Sequence, residues 1–132
     1  MNETIKNIMG RNSCRDFKDT PLTDEQLKTI VDAALAAPSG LNLQPWRIVV
    51  VKDKALVDEL DAAGMAVLSA AEDKSAYNRV MGRGGKMLYN APCLIYILSD
   101  ESKWSTLDSG IMCENIAIAA QSLGLSSCTT PP

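Results

Sequence analysis

Histidine is absent from all 132 residues. That removes the side chain most used as a general base near neutral pH, both His-dependent nucleophile pairs and the commonest metal ligand. No C-x-x-C pair occurs either. Cys14, Cys93, Cys113 and Cys128 are scattered along the chain, so neither a zinc site nor a thioredoxin-like motif is indicated. An even number of cysteines allows disulfides, but Met1 to Lys6 is polar and predicts no secretory leader, so reduced thiols in a cytoplasmic protein are expected. No apolar run is long enough to span a bilayer, since the longest helical pattern carries Glu114, Asn115 and Gln121. Internal repeats and low-complexity segments are missing too. Nor is there an excess of positive charge: the net charge of −3 argues against a general nucleic-acid binder.

What is present is an ordinary globular balance, 46% hydrophobic and 22% charged. The length predicts a single domain over residues 1–132, able to bury roughly two-thirds of its unfolded surface. Ile5, Ile8 and Met9 fall at helical spacing before Gly10, which predicts a short first helix. Thr23-Asp24-Glu25-Gln26 fits a capping box, and Leu27, Ile30, Val31, Ala34 and Leu35 form the core face of the helix it opens. Ile48 to Val51 is β-branched throughout, which predicts an interior strand covered on both faces. Residues 55–63 and 65–72 read as helices broken at Gly64. Pro92 to Leu98 reads as a second buried strand. A long helix from about Ser105 has a stripe of Ile111, Met112, Asn115, Ile116, Ala119, Ala120 and Leu123, and ends at Gly124. Buried within that stripe, Asn115 needs a hydrogen-bond partner. Leu125 to Cys128 approaches a third strand, before Thr-Thr-Pro-Pro closes the sequence. This order is α+β or mixed α/β, with more helix than strand.

Three stretches carry candidate chemistry. Ala37 to Arg47 reads A-P-S-G-L-N-L-Q-P-W-R between a helix and a strand. Pro38 stops the helix, Gly40 permits positive φ and close backbone approach, and Asn42 and Gln44 offer amides outside regular structure. Such a loop can hold a flat hydrogen-bonding ligand or be a polar connector; both readings stand. Arg11 to Lys18 holds three cations and one acid, which read alone as a solvated basic turn or, alternatively, as an anion site. Tyr77 to Lys86, Y-N-R-V-M-G-R-G-G-K, reads as a mobile solvated loop. Its G-x-G-G string does not lie between a strand and a helix as a phosphate loop would.

Taken together, R-N-S-C-R at 11–15, P-S-G-L-N-L-Q-P-W at 38–46 and D-S-G-I-M-C-E-N-I-A-I-A-A-Q-S-L-G-L at 108–125 resemble the FMN-dependent nitroreductase family. The strand A-P-C-L-I-Y-I-L at 91–98 resembles that family's A-P-x-L-I pattern, and the likeness runs from about residue 4 to 128. The resemblance implies an α+β fold with a central, mostly antiparallel sheet flanked by helices, in an intertwined homodimer with FMN at the subunit interface. It implies a ping-pong oxidoreductase in which NADH or NADPH reduces the flavin and a nitroaromatic, quinone or similar acceptor reoxidises it. It also implies roles for single residues. Arg11, Asn12, Ser13 and Arg15 match the first FMN-contacting segment, with Arg11 toward the phosphate and Arg15 toward the pyrimidine edge. Pro38, Ser39, Gly40 and Asn42 match the segment lining the ring from the partner subunit, with Gln44 and Trp46 as support. A side chain added at Gly40 is then expected to obstruct the ring.

Hydride chemistry belongs to the flavin, so no catalytic acid or base and no metal are expected. Glu114 departs from the family's usual Gln, and the family continues for several tens of residues past the L-G-L-S-S-C segment, so a shortened form is expected. The alternatives are an impaired or non-catalytic FMN-binding dimer, and a relative with different flavin chemistry such as dehalogenation or flavin fragmentation. Neither a membrane nor a nucleic acid is an expected partner.

Overall fold

In a computed structural model, which describes residues 1–130, the elements run α1 (Glu3–Gly10), α2 (Asp24–Leu35), β1 (Trp46–Val51), α3 (Lys54–Ala70), α4 (Ser75–Met81), β2 (Leu94–Ser99) and α5 (Ser105–Ser122). Helices outnumber strands and the two strands pair antiparallel, an α+β arrangement. Packing divides the chain into two units. The first is Met1–Cys14, Thr23–Val49 and the chain from Ile95 onward; the second is Arg15–Leu22 with Val50–Leu94.

In the first unit the capping box forms as expected. Thr23 Oγ1 accepts from the Gln26 amide at 3.1 Å, and Gln26 Oε1 accepts from the Thr23 amide at 2.9 Å. Ile30 and Ala34 on α2 are buried, with Leu27 and Val31 half-buried. Leu35, expected on that face, is exposed, because it stands about 100° round the helix from Ala34 at the last turn. Helix α5 packs on α1 and α2, and its burial spreads beyond the expected stripe: Met112 and Ala120 are buried, and Asp108 and Ala117 join them. Ala34, Ala37, Trp46 and Met112 form the core, with Ile48, Ile97, Ile111 and Ile116 against it. Asn115 finds its partner, donating from Nδ2 to the Ala33 carbonyl at 2.9 Å. That carbonyl lies in the last turn of α2, where no later helical amide reaches back. Gly124, at φ 72°, ends α5, and the Leu125 amide returns to the Ala120 carbonyl at 3.0 Å.

The strands differ from expectation. β1 begins two residues early, at Trp46, and alternates: Trp46 and Ile48 turn inward while Arg47 and Val49 are exposed. Val49, 44% exposed, leaves that face open to water rather than covered, and among the described residues β1 pairs with β2 alone. β2 likewise leaves Tyr96 and Leu98 exposed. The expected third strand is represented by one parallel bridge, Ser13 to Ser127, with the Cys14 amide donating to the Ser127 carbonyl at 2.9 Å. Pro131 and Pro132, in the closing Thr-Thr-Pro-Pro, lie outside the described residues.

In the second unit, Asp53 caps α3 by accepting from the Ala55 and Leu56 amides. Helix α3 runs unbroken through Gly64, which corrects the expected break. Glycine is needed there for space, not for a turn: a Cβ at position 64 would lie 2.1 Å from Met87 Sδ. The expected loop over 77–86 is also half helix, since α4 holds through Met81.

Candidate functional site

The loop following α2 lies in the first unit and is internally tied. The Asn42 amide donates to the Ser39 carbonyl at 3.0 Å, the Leu43 amide to the Gly40 carbonyl at 3.1 Å, and the Gln44 amide to Ser39 Oγ at 3.0 Å. Positive φ falls on Leu41 (53°), Asn42 (55°) and Gln44 (50°), not on Gly40 as the sequence suggests. Residues with a Cβ hold that conformation at a cost of order 1–2 kcal/mol each, so surrounding contacts must impose it. Gly40 serves close approach instead. A Cβ there would sit 2.7 Å from Trp104 Cε3, so the side chain it excludes would meet this chain's own indole. The Gly40 amide donates at 3.1 Å to Oδ1 of Asp108, which is only 2% exposed. Pro38, Ser39, Gly40, Trp104, Leu107, Asp108 and Ile111 line a cleft of about 230 Å³. Asn42 is exposed on the loop, and Trp46 is buried in the core.

The 11–15 segment is split between the units. Arg11, Asn12 and Ser13 belong to the first, Arg15 to the second. Arg11 Nε lies 3.9 Å from Glu114 Oε1, both side chains well solvated, so the pair is weak. Asn12 Nδ2 donates to the Gly10 carbonyl at 3.3 Å, and Ser13 forms the bridge to Ser127. Neither described cleft is lined by Arg11, Asn12, Ser13 or Asn42.

In the second unit, Arg15 lines a cleft of about 270 Å³ with Asp16, Arg83, Gly84, Lys86, Tyr89 and Asn90. Its wall is fastened to α3. Asp61, buried, accepts the Leu88 amide at 2.8 Å, and Lys54 Nζ donates to Asn90 Oδ1 at 3.0 Å. Lys86 Nζ donates to the same oxygen at 3.2 Å. Tyr89 and Asn90 both have positive φ, held by the Phe17 amide on the Tyr89 carbonyl and Asn90 Nδ2 on the Phe17 carbonyl. The hydrogen bond from Lys54 holds the Asp58 carboxyl below the usual carboxylate range, with the charges of Lys54 and Lys86 adding to it. Burial pushes the Cys93 thiol up, against the smaller pull of Lys52. Arg83 and Lys86 were not singled out in the sequence, because their glycine-rich surroundings read as a solvated loop. The three cations among residues 77–86 were the available signal.

Three cations round one cleft favour a phosphate or an electron-rich planar edge. An exposed, strained, amide-bearing loop favours a flat hydrogen-bonding group. Residues 8–131 match the family described as Nitroreductase, and the chain belongs to it. A nitroreductase with bound FMN from Desulfitobacterium hafniense is 50% identical, with a TM-score of 0.91 over 96% of this chain and 68% of that one. An FMN-dependent nitroreductase from Clostridium difficile is 40% identical, with a TM-score of 0.81 over 96% of this chain and 59% of that one. The NADPH-flavin oxidoreductase of Vibrio harveyi is 35% identical over 95% of this chain and 52% of its own length. The chain spans 52–66% of the first curated relatives it matches. No helix among the described residues is long and apolar enough to cross a membrane.

Proposed function

We propose that this chain binds FMN and acts as an NAD(P)H-dependent oxidoreductase toward nitroaromatic, quinone or similar acceptors. The observation that carries the reading is the Arg15–Arg83–Lys86 cleft in a member of a family whose solved structures hold FMN. The donor set suits the group. Arg15, Arg83 and Lys86 would face the electron-rich pyrimidine edge, where positive charge favours the reduced, anionic ring. Arg11, Asn12 and Ser13 would hold the phosphate end, and Pro38, Ser39, Gly40 and Asn42 would line the ring from a partner subunit. Bound FMN supplies the hydride chemistry between nicotinamide and acceptor; the chain binds it, orients it and biases its charge. No side chain is assigned as a catalytic acid or base.

The purified chain is expected to take up FMN and show flavin absorbance after gel filtration. It is then expected to oxidise NADH or NADPH when a nitroaromatic or quinone is present. Absence of flavin binding overturns the proposal. Binding without turnover favours an impaired FMN-binding dimer, and turnover only with a halogenated aromatic favours dehalogenation.

A further inference from the structure

The loop at 38–44 holds three positive-φ residues that carry a Cβ, and its one short 3-10 turn, Gly40–Asn42, has Leu41 outside helical φ/ψ. Its inner bonds close short rings, which shape the turn but do not anchor it. The described long-range hydrogen bond to its backbone comes from α5: Asp108 Oδ1 accepts the Gly40 amide across 68 residues of sequence. Asp108 is 2% exposed, the lowest exposure of any charged residue described. One turn away, Trp104 lies so close to the Gly40 Cα that only glycine leaves the indole undisturbed. Lys103 Nζ stands over that indole at 5.5 Å from the ring centre.

We infer that Asp108 is a positioning residue: with Trp104 it clasps the backbone at Gly40, holding Ser39 to Gln44 in the shape that receives the flavin ring. A buried carboxylate is costly to desolvate unless hydrogen bonds compensate, and an amide held by an ionised acceptor makes a stronger bond than one held by a neutral oxygen. The first turn of α5 also favours a negative charge through the helix dipole. Burial, charge and the 3.1 Å bond therefore act on one amide. Asp108 touches neither substrate nor cofactor in this scheme; it acts through Gly40. The inference rests on the FMN-binding reading for its functional half, while the clasp itself can be measured without ligand.

The test uses the full chain and follows hydrogen exchange at the Gly40 amide together with FMN affinity by flavin fluorescence quenching. Wild type should protect the Gly40 amide at least tenfold relative to an unstructured peptide. Asp108→Ala should abolish that protection and weaken FMN binding at least tenfold, while α5 amides from Met112 onward stay protected. Asp108→Asn, which keeps an acceptor oxygen but not the charge, should restore part of the protection and give an affinity between those of Asp108→Ala and wild type. A purely structural Asp108 would lower the melting temperature yet leave affinity unchanged well below it; that result overturns the inference. So does an Asp108→Ala chain whose Gly40 amide remains protected. If Asp108→Ala fails to fold, the wild-type exchange rate decides: an unprotected Gly40 amide overturns the clasp. If wild type protects Gly40 but binds no FMN, the functional reading falls and the clasp stands as structure alone.

Discussion

Arg11 and Glu114 show how a side chain can be paired in space and still be available. Their 3.9 Å contact is between well-solvated groups, and such pairs contribute about 0–1 kcal/mol. Glu114→Gln should therefore shift stability by less than about 1 kcal/mol. Arg11→Ala should cost the phosphate a charge-assisted partner worth roughly 1.5–3 kcal/mol, weakening FMN binding about 10- to 150-fold. Titrating flavin fluorescence with each variant checks both; unchanged affinity in Arg11→Ala would remove that residue from the phosphate site. Gly40→Val tests the neighbouring contact. Its side chain meets the Trp104 ring, so the expected loss is about 1–3 kcal/mol of stability, with altered indole emission and lost FMN retention. Wild-type Trp104 emission with full flavin occupancy would show that the loop absorbs the added bulk.

At the scale of elements, α3 does more than fill space. Asp61 and Lys54 on one side of it hold Leu88 and Asn90, which brings the backbone around Lys86 into a strained conformation beside Arg15 and Arg83. Gly64, on the same helix, makes room for Met87. Alanine at position 64 would raise helix propensity by up to about 1 kcal/mol, but the clash should win, for a net loss of about 1–2 kcal/mol. Met87 cannot retreat freely, because the next residue's amide is bound to Asp61. Chemical denaturation of Gly64→Ala, Met87→Ala and the double variant measures this. The double variant should be more stable than the sum of the two single losses predicts; simple additivity would deny the contact.

At the scale of the whole molecule, pH and self-association are the accessible variables. Hydrogen bonds lower the carboxyls of Asp58, Asp73 and Asp100, through Lys54, Ser75 and Ser102 respectively. Their contribution is present above the unfolded carboxylate value near 3.9 and lost as pH falls through the lower folded values. Cys93 acts at the other end. Its folded thiol is raised, so its contribution is full below the unfolded value near 8.5 and declines as pH rises above it. Melting curves from pH 3 to 10 should fall at both ends, and Cys93→Ala should flatten the alkaline limb; an unchanged limb would point to other groups. The proposed homodimer is supported by large apolar side chains left in water in the first unit, with Leu41 80% and Leu107 62% exposed. Leu41→Asp should shift sedimentation toward the monomer and release FMN with it. A monomeric wild type would refute the shared site.

Local chemistry settled much of this protein in its sequence. The Thr23 capping box, the inward residues of α2, the Gly124 stop and the partner owed to Asn115 all depend on groups within a few residues or on the burial of a polar side chain. The three family segments made the ancestry legible before any fold was seen. What sequence could not convey depended on neighbours distant along the chain. A β-branched run does not reveal that one face of β1 stays open, because that is decided by which elements pack on each side of the sheet. Gly64 looked like a helix break because the Met87 sulfur that requires it comes 23 positions later. Arg83 and Lys86 looked like loop charges because Arg15, which joins them, is close only after α3 and its hydrogen bonds shape the unit. Tertiary structure gave Asp108 the Gly40 amide to hold, and positive φ to Leu41, Asn42 and Gln44 rather than to the glycine. Propensity acts through adjacent residues, whereas packing and long-range hydrogen bonds decide which of the permitted conformations is kept.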